Sequence, residues 1–422
     1  MQPQSVLPFT GLPLRRKNRM YHVRRVHIGK TAQLDELAHE CGILYSKTLV
    51  FFWRTVRHKG LWLKPKHLMR LFTSKKLHAH TADACVQSFF ASLKSWRERR
   101  ATDPTAHPPR RRKWYFRIEY KRSAMVRKSG MLRLSNGRGN EPLVLNWPWE
   151  LPQTVVIHWT GTQYEAIATY EQQRAYGPFP VGKVAGIDLG EVHMAVSHDG
   201  ERTYILNGRL LRSKRQYQNK LKARLQARID VKKKGSRRRK QLTASKSRQL
   251  RKLKNQIRDV EHKSTTRLIS TLHANGVQTV VIGDVRDIRQ NNDVGPTNNQ
   301  KIHQWSHGGI RFKLTYKAER LGMDVALQDE HYTSRTCSAC GYVRSKVKGR
   351  MFRCPQCGWT YHRDGVGAMN IRQKYRGELG SRHVVGAMAP PTSLRYYPQS
   401  GVARSQGREN VCVGNCAEAA PL

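Results

Sequence analysis

Four cysteines near the C-terminal end constrain this chain more than any other feature. Cys337 and Cys340 form one C-x-x-C pair, Cys354 and Cys357 a second, and a glycine follows each pair directly, Gly341 and Gly358. Glycine suits the tight turn of a metal knuckle because it tolerates a left-handed backbone. Two knuckles this close predict a small zinc ribbon, since four thiolates complete a tetrahedral Zn²⁺ site. A closed site of four thiolates leaves no open position, so its expected role is structural. Two unrelated pairs, or a disulfide, are the competing reading. The ribbon points to what it braces: Asp364 stands seven residues past the second pair, in the run HRDGVGAMNI.

Charge narrows the partner. Lys and Arg number 78 against 29 acids in 422 residues, a formal net charge of +49. Such an excess repels itself unless a polyanion is bound, and phosphate backbones are the obvious one. No apolar run approaches the length of a membrane span, and the N-terminus lacks the apolar core of a signal peptide. Cys41, Cys85, Cys412 and Cys416 show no disulfide framework, so a reducing cytoplasm, close to the nucleoid, is expected. A hydrophobic share of 38% allows two or three modest cores.

Periodicity divides the chain. Residues 1–18 read as a loose basic leader. Residues 19–30 alternate like a strand, and 31–112 read as helices followed by a Pro-rich linker carrying Arg110, Arg111 and Arg112. Residues 113–182 return to short strands, expected to close one barrel with the first strand around the inserted helices. Aromatics interleaved with Arg and Lys there suit stacking on bases, or an ordinary core. From Lys183 the pattern is three strands, then a basic helical stretch from about Gly208 to Leu268. Asp230, Asp259 and Glu261 are the only acids between 209 and 263. That imbalance favours nucleic-acid contact over a salt-bridged face, densest at Arg237, Arg238, Arg239 and Lys240. A buried strand TVVIGDV, a loop at 291–309, a helix at 310–321, the strand MDVALQD, the ribbon at 333–359 and a helix near 364–375 follow. Residues 381–422 read as a disordered tail.

Strands and helices in this order predict an RNase H-like nuclease domain over 183–332 and 360–380. That fold supports two-metal phosphodiester hydrolysis, with oxygen ligands for two Mg²⁺ ions about 4 Å apart. Asp188, in GIDLG at the end of the first strand, meets the requirement, and so does Asp364 on the last helix. Gly190 is expected to leave room for a close approach.

GIDLG at 186–190, YTSRTCSACG at 332–341, the second cysteine pair and HRDGVGAMNI at 362–371 together resemble the transposon-encoded TnpB nucleases, relatives of type V CRISPR effector nucleases. The resemblance covers roughly 183–375. It implies an α+β multidomain protein: a wedge-like β-barrel with an inserted helical recognition domain, then a RuvC-like domain with an inserted zinc ribbon. It also implies an RNA-guided DNA endonuclease, with a guide RNA from the transposon end and target DNA, double- and single-stranded, cut beside a short adjacent motif. The family carries a metal-binding glutamate just after the central strand, where this chain has Gly283. Glu330, at the end of the neighbouring strand, is one candidate replacement. Asp284 is another, though one step along a strand turns a side chain to the other face. Asp329 is a third, weaker candidate. Glu330 would otherwise pair with Arg335 or Lys346. A site without this ligand, acting as a repressor or roadblock, is the alternative, and a strand-transfer transposase on the same fold is a further one. On the last helix Asp364, Ala368 and Asn370 keep the family pattern, while Val366 and Gly367 depart from it.

Overall fold

The computed structural model describes residues 19–112, 115–173, 182–285, 293–343, 347–379, 389–396 and 403–405. The expected leader at 1–18, Lys346, Cys412 and Cys416 lie outside them. The chain divides into two compact units, residues 19–173 and the described residues from 182 onward.

The first unit contains strand β1 (Arg19–Ile28), helices α1 (Ala32–Lys59), α2 (Pro65–Leu71) and α3 (Ala79–Thr102), and strands β2 (Ile118–Lys121), β3 (Met125–Lys128), β4 (Met131–Leu134), β5 (Leu143–Asn146), β6 (Thr154–Trp159) and β7 (Tyr164–Gln173). Helix α1 starts where Thr31 Oγ1 accepts from Leu34 N and ends at Gly60, whose φ of 63° closes the C-cap. Leu34, Ala38, Cys41, Tyr45 and Phe52 fall on one face of it and are buried. In place of one barrel ladder, the strands form two hydrogen-bonded sheets, β1-β7-β6-β2 and β3-β4-β5. Both line one core that holds Trp147, Tyr120 and Tyr164.

The second unit opens with β8 (Lys183–Asp188), β9 (His193–His198) and β10 (Thr203–Asn207). Helices α4 (Arg209–Asp230) and α5 (Arg237–Ala274) follow, then β11 (Val277–Asp284), α6 (Pro296–Gln304), α7 (His307–Arg320) and β12 (Asp324–Asp329). The ribbon strands β13 (Val347–Lys348), β14 (Met351–Arg353) and β15 (Thr360–His362) lead into α8 (Arg363–Arg376), and β16 (Thr392–Tyr396) and β17 (Ala403–Ser405) end the described chain. One sheet runs β12-β11-β8-β9-β10-β16-β17. Strand β11 pairs in parallel with β8 and β12, while β8, β9 and β10 form an antiparallel meander. The strand ends that carry Asp188, Gly283 and Asp329 therefore lie at one end of the sheet.

The basic helical stretch consists of two helices, broken between Asp230 and Arg237, where Gly235 takes a φ of 85° that ordinary helix excludes. Two further expectations are corrected. The loop expected at 291–309 contains α6, started by Pro296 in its first turn. The tail expected at 381–422 is not wholly unstructured: β16 pairs in parallel with β10 and extends the sheet, with Leu394 buried against its core.

Helix α8 crosses β8 closely because Gly186 has no side chain. A Cβ there would lie 2.2 Å from Ala368 O and 2.7 Å from Arg372 N, both backbone atoms that cannot swing away. Gly186→Ala is expected to cost about 3 kcal/mol through overpacking. Denaturant unfolding of the variant checks this, and an unchanged midpoint would refute the close-packing account.

Candidate active site

Asp188 closes β8, and its carboxyl lies over α8. A Cβ at Gly367 would come within 2.6 Å of Asp188 Oδ2, so the glycine that departs from the family pattern makes space for this group. At Gly190 the group that approaches closely is backbone. A Cβ there would meet His193 O at 2.7 Å, so its bareness permits the tight β8–β9 connection.

Asp364 lies in the first turn of α8, where the helix dipole favours a carboxylate. Its Oδ2 accepts from His193 Nδ1 at 2.7 Å and from Arg350 Nη1 at 3.1 Å. Burial opposes ionisation, but the bond from His193 and nearby positive charge hold its pKa below the usual carboxylate value. His193 begins β9, is buried, and packs its ring 5.3 Å from that of His362. The sequence reading missed His193 and Arg350. Only the fold brings a hairpin residue and a ribbon residue to one carboxylate oxygen.

Gly283 is the decisive position. In the β11–β12 register it faces Gln328, and Glu330 stands two residues further, just past the end of β12. A Cβ at 283 would lie 1.8 Å from Glu330 Oε1 and 2.6 Å from its Cδ. The Glu330 carboxyl thus fills the space that a side chain at 283 would occupy. Glu330 Oε1 is buried and has no hydrogen-bond partner. Burial, reinforced by the charges of Asp284 and Asp329, pushes its pKa up to about 7. Asp188 is raised well above the ordinary value by burial first, then by the charges of Glu330 and Asp364. The other two candidates are otherwise engaged. Asp284 Oδ1 pairs with Arg311 at 2.9 Å, and Asp329 Oδ2 with Lys374 at 3.0 Å.

Burial and neighbouring acidic charge make Asp188 and Glu330 costly to ionise, and Glu330 also carries an orphaned buried oxygen; with Asp364 they form an oxygen donor set that a bound cation would stabilise. Hard divalent cations with oxygen preference match such a donor set.

The four cysteines converge. Cys337 Sγ lies 3.7 Å from Cys357 Sγ and Cys340 Sγ 3.6 Å from Cys354 Sγ, and all four sulfurs fall within 4.8 Å of one another. These separations match the edge of a tetrahedron with metal–sulfur bonds of about 2.3 Å. In each knuckle the glycine N–H bonds back to the first cysteine carbonyl, Gly341 to Cys337 and Gly358 to Cys354, with φ of 73° and 71°. Burial opposes a thiolate at Cys354, but amide N–H groups of Cys357 and Gln356 bring its pKa down to about 7. The cluster can hold a metal ion.

The basic residues divide by role. Arg237, Arg238 and Lys240 are exposed in the first turn of α5. Cations there oppose the helix dipole, a cost that a bound polyanion offsets. Arg239 is instead a clasp across the α4–α5 turn: its Nη1 donates to Ile229 O at 2.9 Å and Lys232 O at 2.8 Å. Between these helices a groove of about 550 Å³ is lined by Lys214, Arg248, Arg251 and Lys252. In the first unit Arg110 is exposed. There Arg111 and Arg112 join Lys47, Arg54, Phe51 and Phe72 around a groove of about 510 Å³. No helix among the described residues is long and apolar enough to cross a membrane.

Residues 168–289 match the family described as "Probable transposase", and 307–371 match the "Cas12f1-like, TNB domain" family. The CRISPR-associated endodeoxyribonuclease Cas12f1 of Sulfoacidibacillus thermotolerans is 24% identical over 58% of this chain and 59% of its own length. A TnpB-like protein of Methanocaldococcus jannaschii is 27% identical over 30% of this chain and 46% of its own length. A Cas12f1 chain solved with its single guide RNA and target DNA superposes with a TM-score of 0.53 at 14% identity, over 81% of both chains. That level of identity speaks to fold alone.

Proposed function

We infer that this chain, a member of the TnpB family, is an RNA-guided endonuclease that cleaves DNA beside a short adjacent motif. The observation that carries the reading is the Glu330 carboxyl seated over Gly283, close enough to raise the pKa of Asp188. It supplies the third acid that an otherwise incomplete site lacks. The β10-β9-β8-β11-β12 order, antiparallel then parallel, supports an RNase H-like, RuvC-like domain.

Asp188, Glu330 and Asp364 would hold two Mg²⁺ ions, which when bound offset charge on the attacking and leaving oxygens of the phosphodiester. His193 and Arg350 fix one oxygen of Asp364 and leave the other for that purpose. The four cysteines would hold one structural Zn²⁺. Guide RNA, from the transposon end, would choose the sequence by pairing, while the protein grips backbones through charge. Arg237, Arg238, Lys240, Arg110, Arg111 and Arg112 are the proposed contacts. The setting is the cytoplasm of a prokaryote.

The test is co-expression with RNA from the flanking DNA, then challenge of a plasmid library bearing the matched target and randomised flanks, with Mg²⁺. Cut plasmids sharing one flank are expected. Asp188→Ala and Asp364→Ala are each expected to lower cutting by about a thousandfold while RNA and target stay bound. Bound but uncut target with the wild-type chain would instead establish a binding-only repressor with a lost ligand at Gly283.

A further inference from the structure

We propose that Tyr332 is a base-stacking platform beside the carboxylate site, receiving a nucleobase of the DNA strand being cut. The proposal rests on the nuclease reading above and names where its substrate sits.

Glu330 is carried on a tight turn. Thr333 N donates to Glu330 O at 3.1 Å, and Thr333 Oγ1 donates to the same oxygen at 2.8 Å. The third residue of that turn is Tyr332, with a φ of 63°. Glycine or asparagine is the ordinary occupant of such a place, because a Cβ crowds the left-handed backbone. A bulky aromatic there is an outlier that its own preferences do not explain.

The surrounding contacts hold the turn against relaxation. Tyr332 O accepts from Arg335 N and Thr336 N, each at 3.1 Å. Asn370 of α8, fully buried, donates to Thr333 O at 2.6 Å and to Thr336 O at 2.7 Å. Lys374, one turn along α8, donates to Asp329 and to His331 O. The strain is therefore locked in from the helix that carries Asp364.

Packing does not compensate for it. Tyr332 is 60% exposed, and its ring contact is an edge-to-face one at 5.4 Å with His331, whose side chain is 79% exposed. A rigid, strained residue that buries little of its ring gives the fold nothing that asparagine would not. What it offers is a largely exposed flat π surface on the turn that carries Glu330, two residues along the chain. A nucleobase flanking the phosphate under attack is the ligand with a matching face, and such stacking tolerates any sequence. That tolerance suits a site where guide pairing has already chosen the target.

The test uses the full chain loaded with its co-expressed RNA, with Ca²⁺ in place of Mg²⁺ to keep the target intact. Target DNA carrying 5-iodouracil at successive positions around the cut is irradiated, and crosslinked peptides are mapped by mass spectrometry. A crosslink at Tyr332 from one or two adjacent positions is expected. With Mg²⁺, Tyr332→Asn is expected to raise KM or lower cutting by roughly ten- to a hundredfold. Its melting temperature should be unchanged or higher, because strain is relieved. Tyr332→Phe should keep the activity.

Crosslinks confined to other residues, with Tyr332→Asn cutting like wild type, would overturn the proposal. So would equal losses in the Asn and Phe variants, which would point to the hydroxyl. If the wild type never cuts yet crosslinks at Tyr332, the platform stands and the nuclease reading falls. If it cuts without that crosslink and Tyr332→Asn cuts equally well, only the platform falls.

Discussion

Replacing Glu330 with alanine is expected to lower target cleavage by about a thousandfold, and adding Gly283→Glu to that variant is expected to restore most of it. The reason is shared space. A side chain at 283 would displace the Glu330 carboxyl from its present place, since a Cβ there would lie 1.8 Å from Oε1. Removing Glu330 empties the place, and a glutamate rooted on β11 can then project into it. Gly283→Glu alone should therefore damage the protein, because it crowds a second acid into an already acidic, buried site. Asp284→Ala should leave cutting nearly intact, because that carboxylate is bound to Arg311. Cleavage rates of the wild type, Glu330→Ala, Gly283→Glu and the double variant in a guide-loaded complex form a double-mutant cycle, with Asp284→Ala as a separate control. If Glu330→Ala cuts normally while Asp284→Ala is dead, the assignment is wrong. If both cut normally, no third carboxylate from this region is needed.

How much of this was legible beforehand differs from element to element. Asp188 and Asp364 could be placed from sequence because each sits in a local motif at a strand end or helix start. Glu330 could be nominated only as one of several acids, since only the turn beyond β12 brings its carboxyl over Gly283. His193 gave no local signal: its meaning comes from α8 returning across β8 and β9. Arg239 looked like its neighbours in a charge run, yet the break between α4 and α5 turns it inward to two carbonyls. The strand β16 was hidden because its pairing with β10 is far away in sequence, and a Pro- and Gly-rich context masks a strand of five residues. For His193 and β16 the deciding contact is long-range, which periodicity and composition do not encode.

Removing metal from the four cysteines is expected to abolish cleavage although no cysteine touches the carboxylates. The ribbon is spliced between Glu330 and Asp364, so its fold sets the spacing of both. Asn370 holds the near edge through Thr333 and Thr336 and accepts from Ser338 Oγ at 2.8 Å, and Arg350 of the ribbon reaches Asp364 at 3.1 Å. The ribbon's apolar support is a small cluster of Phe352, Tyr361, Cys337 and Cys354 against Val366 and Met369 of α8. Structural zinc binding is worth about 10–16 kcal/mol in small domains, comparable with the whole net stability of a typical fold. Its loss should therefore unfold the ribbon while the sheet of β8, β11 and β12 persists. Cys354→Ser should act like a chelator, because Cys354 is fully buried within that cluster. The expected results are one zinc per chain by elemental analysis in the wild type and less than half of that in the variant. Trypsin should open Arg350 and Arg353 early, and cutting should fall by at least about a hundredfold. Chelated protein that still cuts its target at the wild-type rate would show that the carboxylates hold their places without the ribbon, and that the metal braces something else.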